Sequence, residues 1–253
     1  MLVENGEWIM RGVDWGHPEC IHTIKELEDY VEDIGFLPLF ANGVEGFSLE
    51  EWTDPLVWWS GDDSCDPWQW REIIARKGKI AYGKFFDKKA GFISLKWFPY
   101  FANARRDGYD FDTLYQDGKA DRREKLIMDF YMDEAEDGSI IWKDTDILST
   151  ELKKAAGFGK NKEKNYPGIM TNLQMNTYLV ISDFVRRTSK KGEQYGMAVS
   201  IPKPPEKLWG YDFVTSAYDE SPSDSWQRIY DHVLELYENA DEKQVIKLIG
   251  KKA

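Results

Sequence analysis

Between Ser149 and Ile201 the spacing of apolar residues changes from helical to strand-like, and the chain then doubles back. Residues 149–156 read as a helix capped by Ser149 and ended by Gly157. Residues 158–165 form a glycine- and lysine-rich turn. A second helix is predicted over 166–177, with Ile169, Leu173 and Met175 apolar. Residues 178–187, rich in Val, Ile and Phe, read as a strand. A polar turn follows at 188–194, and 195–201 read as the returning strand. Few small folds accept that order of elements.

Helix, turn, helix, strand, turn, strand is the order of a winged helix. A related pattern lies upstream. Ile24, Leu27, Val31 and Ile34 recur at helical spacing, so 22–34 read as an amphipathic helix closed by Gly35. Ser48 with Glu51 is an N-cap pattern for a short helix that Pro55 ends. Asp66 and Pro67 open a helix running to about Lys77, with Gly78 at its end. A strand over 79–86, a turn over 87–91 and a second strand or helix start over 92–97 complete helix, strand, turn, strand. A long charged helix is predicted over 119–135, with Leu126, Ile127, Phe130 and Tyr131 inward, then an acidic loop over 133–138. Pro202, Pro204 and Pro205 make a stiff connection to helices over 221–237 and 241–249. The expected class is α+β and helix-rich, with tandem winged-helix units carrying small β-hairpins. The expected divisions are an irregular N-terminal arm (1–21), a helical region with the first helix–hairpin unit (22–148), a winged-helix unit (149–201) and a helical extension (202–253).

Charge falls in blocks that match these patterns. Residues 1–67 hold 2 basic and 16 acidic side chains, whereas 68–106 hold 10 and 2. Residues 107–150 hold 5 and 13, residues 151–200 hold 9 and 4, and the rest 7 and 10. Both net-positive blocks coincide with a helix–hairpin pattern, and exposed cations on a compact unit bind phosphates. A total of −12 argues against a general nucleic-acid binder. It leaves room for a local basic face, because screening over ~8–10 Å makes the nearby field decisive. The 42% hydrophobic content suffices for a core. No apolar run approaches the ~20 residues a membrane helix needs, and the acidic N-terminus does not read as a signal peptide. Cys20 and Cys65, without C-x-x-C spacing, fit reduced thiols in the cytoplasm.

Several segments carry a family resemblance. Residues 34–39 (Ile-Gly-Phe-Leu-Pro-Leu), 66–71 (Asp-Pro-Trp-Gln-Trp-Arg), 81–86 (Ala-Tyr-Gly-Lys-Phe-Phe) and 91–94 (Gly-Phe-Ile-Ser) resemble an uncharacterised bacterial family described as AlkZ-related. Residues 155–160 and 171–175 resemble its second half. The resemblance spans roughly 22–210. The parent group, the AlkZ/YcaQ-type DNA glycosylases, is built from tandem winged helices; it opens interstrand crosslinks and removes alkylated purines. The resemblance therefore implies a nucleic-acid ancestry. Those enzymes hold and activate water with a Gln-x-Gln or Gln-x-Asp pair after a first helix that ends in Gly. If Gly35 marks that end, Pro38 and Phe40 replace the pair, and neither side chain can position or deprotonate water.

Candidate residues each carry two readings. Lys153, Lys154, Lys160, Lys162 and Lys164 precede the would-be recognition helix, and Arg186, Arg187, Lys190 and Lys191 line the would-be wing. They are phosphate contacts or a solvated face. Lys77, Lys79, Lys84, Lys88 and Lys89 contact phosphates or guard a strand edge. Trp58, Trp59, Trp68 and Trp70 with Arg71 form a base-stacking pocket or packed core. Asp62, Asp63 and Asp66 bind a cation or cap a helix, with the cap favoured. His17, His22 and His232 are too scattered for a metal site, and neither metal nor cofactor is expected. Three functions follow. One is a DNA-associated protein that has lost the parent chemistry. Another is a divergent DNA glycosylase using Gln174 with Asn176 or Glu50 with Glu51. The third is a protein-interaction module whose basic faces are neutralised internally. Oligomeric state is left open.

Overall fold

The structure, a computed structural model, describes residues 2–4, 7–189, 191–192 and 194–252. The arm is not wholly irregular: β1 (Leu2–Glu4) pairs antiparallel with β2 (Glu7–Ile9), and turns over 14–20 follow. α1 (Ile24–Ile34) starts at a capping box, Thr23 with Glu26, and buries Leu27, Val31 and Ile34. Its C-cap Gly35 has φ +88°, and a Cβ there would meet the Trp97 indole at 2.4 Å. β3 (Phe36–Pro38) follows directly. The sequence pattern hides it, because it is three residues long and buried throughout, without alternation.

Two 3₁₀ turns, Leu49–Trp52 and Pro55–Val57, lead to α2 (Pro67–Lys77). Ser48 caps the first turn as expected, accepting from Glu51 N. β4 (Ile80–Phe86) and β5 (Lys89–Ser94) form a hairpin, and the sheet order is β3-β5-β4, all antiparallel. The turn is only Asp87 and Lys88, both with positive φ. β5 ends at Ser94, and α3 (Phe98–Arg106) begins a few residues later.

The long helix expected over 119–135 is replaced by shorter pieces. After α4 (Phe111–Gln116), α5 (Arg122–Met128) stops early, and β6 (Met132–Glu134) pairs with β7 (Ile140–Trp142) where an acidic loop was expected. The helical period persists only across the buried pair Ile127 and Met128; Tyr131, also fully buried, is reached by a turn. α6 (Ser149–Ala155) and α7 (Tyr166–Met175) precede the long hairpin of β8 (Val180–Thr188) and β9 (Gln194–Lys203). Ser149 is not the cap: it is the first helical residue, Leu148 is the N-cap, and the Ser149 hydroxyl accepts from Ser200 Oγ at 3.2 Å. Pro202 lies within β9, and Pro205 opens α8 (Pro205–Trp209). α9 (Tyr211–Val214), α10 (Pro222–Leu236) and α11 (Glu242–Ile249) complete the chain.

Two buried clusters organise these elements. One gathers α1, the three-stranded sheet, α2, α3, α10 and α11, with Phe36, Phe86 and Phe101 at its centre. The other joins α4 to α7 around Ile127, Tyr131 and Leu173. The chain crosses from one to the other where β8 begins, since Tyr178 and Leu179 belong to the second cluster and Val180, Ile181 and Phe184 to the first. A buried ion pair ties α3 to α8 on the side of the first cluster, and the same arginine reaches the backbone next to the second. Arg106 Nη1 donates to Glu206 Oε1 at 2.5 Å, and Arg106 Nη2 donates to Thr177 O at 2.7 Å. Arg105 beside it donates to the carbonyls of Phe85, Met175 and Ile249, and burial pushes its guanidinium down to about 9.

Candidate nucleic-acid interface

The α6–α7 connection is a built turn. Gly159 N donates to Glu163 O, Glu163 N donates to Gly157 O, and Phe158 bridges Glu163. Gly157, Asn161 and Asn165 carry the positive φ angles that close it. Lys153 and Lys154 end α6, and Lys160, Lys162 and Lys164 ride on the turn. All five are exposed, and none has an ion pair among the described residues. Glu163, the acid among them, is bound by Arg122 of α5. A neighbouring helix thus cancels the turn's own carboxylate. The contact lies 41 residues away in sequence, so no local pattern announces it.

The hairpin supplies a second set of cations. Arg186, Arg187 and Lys191 are exposed; Lys190 lies outside the described residues. Arg186 is not free, because its guanidinium donates to Gln69 Oε1 of α2 at 2.9 Å. Arg76 of the same helix binds Asp183 at 2.8 Å, so α2 clamps the base of β8.

Helix α7 is itself largely covered. Pro167 and Asn172 are its exposed residues. Its C-terminal half packs on β4, where the ladder is irregular between Gly83 and Phe86. Lys84 N is released there and donates to Gln174 Oε1 at 3.1 Å; Gln174 Nε2 donates to Met170 O. Lys84 Nζ donates to Thr171 Oγ1, and Lys88 N donates to Met175 Sδ. Gln174 is therefore a buried structural tie and is not poised over a cleft.

The tryptophans divide. Trp70 is fully buried, with Nε1 donating to Asp63 O, and Trp58 donates to Thr53 Oγ1 at 2.9 Å. Trp68 is half-buried, whereas Trp59 is exposed. Arg71 lies between two rings, 3.8 Å from the Trp68 centroid and 4.4 Å from that of Phe184, and pairs with Glu72 at 3.0 Å. Burial raises the Glu72 carboxyl above the usual range against that guanidinium. Asp66 is the helix cap, accepting from Trp59 N, Gly61 N and Trp68 N.

Pro38 is buried in β3 opposite Gly91, and Phe40 leans on Trp58 and Trp68 at 5.7 and 6.3 Å. The expected place of a water-activating pair is thus filled by rings and a proline. Glu50 is fully buried and accepts from Arg11 N and Ala41 N. Glu51 accepts from Ser48 Oγ and Gly46 N while lining a cleft of about 400 Å³ with Arg11 and Glu45. Among the described residues no group of His, Cys, Asp and Glu is arranged to hold a metal, and no helix is long and apolar enough to cross a membrane.

The fold defines a mixed helix-rich α+β protein with small antiparallel sheets. Its sequence matches the family model described as AlkZ related over residues 21–250, so the chain belongs to that family, which links it to DNA-repair glycosylase-like proteins. No curated protein and no solved structure matches it.

Proposed function

We propose that this chain is a DNA-associated protein of winged-helix type that has lost the water-activating pair of its parent glycosylases. In this reading α1, β3, α2 and the β4–β5 hairpin are one winged unit, with the first strand beside the last. α5, α6, α7 and the β8–β9 hairpin are the core of a second. The observation that carries DNA docking is the set of five exposed lysines on the α6–α7 turn, without ion pairs among the described residues, beside Arg187 and Lys191. The exposure of those cations counts against an internally neutralised interaction module. The apolar surroundings of Pro38 and Phe40 count against the parent chemistry, and the structural engagement of Gln174 against the substitute pair with Asn176. A salt-titrated binding assay with duplex DNA tests the docking. Binding that is weakened at low salt by Lys153→Glu, Lys160→Glu and Lys164→Glu together supports it, and no binding at low salt rejects it. Incubation with alkylated and crosslinked duplexes tests the lost chemistry: base release would restore the glycosylase reading.

A further inference from the structure

The described surface carries two sets of exposed apolar side chains whose charged neighbours have opposite sign. The first is Trp15, Leu56 and Trp59, which are 43%, 89% and 47% exposed. Two carboxylates gather them. Asp54 accepts from Trp15 N and Leu56 N, and Asp66 accepts from Trp59 N. Trp59 sits at φ +60°, a left-handed backbone state that strains a non-glycine residue. Asp14, Asp62 and Asp63 are exposed around it. The second patch is Val185, Tyr195 and Met197 on the β8–β9 hairpin, 40%, 52% and 82% exposed. Its ladder is irregular beyond Val185, Arg187 stands opposite Tyr195, and Lys191 adds a second exposed cation at the hairpin end.

An almost bare leucine beside two tryptophans and an almost bare methionine beside a tyrosine are poor outcomes for folding alone. We infer that the two patches are partners: the hairpin of one copy docks on the Trp15–Leu56–Trp59 face of a second copy, and the reverse contact closes a symmetric dimer. Charge selects this pairing. The acidic rim repels another acidic patch and any nucleic acid, and the basic rim repels its own kind. α2 meets the chain next to each patch: Trp68 lies 6.4 Å from Trp59, and Arg71 lies over Phe184, the buried neighbour of Val185. Each copy offers both patches, so a two-fold axis satisfies both contacts at once. The dimer and the proposed DNA docking share Arg187 and Lys191, whereas the α6–α7 lysines belong to the docking alone and Leu56 and Met197 to the dimer alone. Patches of this kind make a weak, salt-sensitive interface.

Sedimentation velocity of the full chain tests it. At ~50 mM salt the weight-average coefficient rises towards a dimer with concentration, and at ~0.5 M it falls back. Met197→Asp and Leu56→Asp each leave a monomer with unchanged circular dichroism. The charge reversals Asp62→Lys with Asp63→Lys, and Arg187→Glu with Lys191→Glu, are each monomeric alone. Mixed, they dimerise again, since every facing rim in the mixed pair is complementary. A monomer at low salt and on the order of 100 µM overturns the inference. So does a dimer that survives Met197→Asp or Leu56→Asp, or a mixture that stays monomeric.

Discussion

The β4–β5 and β8–β9 hairpins have similar neighbours in sequence and opposite fates. The β4–β5 turn is docked: Asp87 N donates to Leu248 O, Lys88 N to Met175 Sδ, and Lys247 pairs with Asp87 at 3.6 Å. The β8–β9 hairpin is clamped at its base by α2, through Arg76 on Asp183 and Gln69 on Arg186, and ends in exposed side chains. A lysine-rich hairpin is therefore not by itself a phosphate-binding wing. What covers the turn decides. In the first unit α7 and α11 cover it, and by packing there α7 forfeits most of its own free face.

If that docking makes one body of the two clusters, its largest test is Arg106, which pairs with Glu206 and donates to Thr177 O beside the second cluster. Arg106→Met leaves the Glu206 carboxylate buried without its partner and is expected to cost about 3–5 kcal/mol in urea unfolding. Arg106→Met with Glu206→Leu recovers most of that loss. Phe36→Ala in the first cluster is expected to cost a similar 3–5 kcal/mol. It should shift one cooperative transition, seen alike by fluorescence and circular dichroism; a second, unshifted transition would break the single-body reading. At the surface, the triple change of Lys153, Lys160 and Lys164 to Glu is expected to lower the slope of log affinity against log salt by about 3, near 0.9 per lost phosphate contact. Lys88→Glu with Lys89→Glu on the docked hairpin should leave that slope nearly unchanged. An equal loss from both sets would erase the distinction between the hairpins.

Local chemistry made some of this readable before any coordinates. The caps at Thr23, Ser48, Asp66 and Ser221 and the glycines 35 and 78 act within a turn of the residues they stop, so their helices stand close to where spacing placed them. The segment over 119–135 misleads for the converse reason. Its apolar residues keep helical spacing, but Tyr131 is buried from a turn and Met132–Glu134 find a strand partner past Gly138. The site divides in the same way. The lysines of the α6–α7 turn are visible as a charge block, whereas Arg122 on Glu163, Lys84 N on Gln174 and Arg186 on Gln69 are contacts over 41, 90 and 117 residues. Such pairings depend on which elements meet, and a single chain's periodicity does not encode that. The same limit applies to the aromatic run: spacing alone does not separate Trp70, fully buried, from Trp59, left outside.

The smallest effect sharpens the comparison at the level of two aspartates. Asp66 in the first unit is fully buried and gathers three backbone N–H groups, so Asp66→Ala should cost about 2 kcal/mol, the upper end for a cap. Asp121 opens α5 in the second unit, caps Arg123 N and binds the Arg123 side chain, but its own side chain is 37% exposed. Solvent screens that pair, so Asp121→Ala should cost no more than about 1 kcal/mol at neutral pH. The two losses should also differ with acid. Hydrogen bonds from Arg123 hold the Asp121 carboxyl below its ordinary value of 3.8 in the folded chain. Its contribution is therefore complete above that value, where folded and unfolded forms are both ionised. It fades as pH falls below 3.8, because the unfolded chain then takes up the proton first. Urea midpoints of wild type and Asp121→Ala, measured from neutral pH downwards, should converge in that acid window. A gap that stays constant to the lowest pH at which the chain still folds would mean that Asp121 acts through packing and not through its charge.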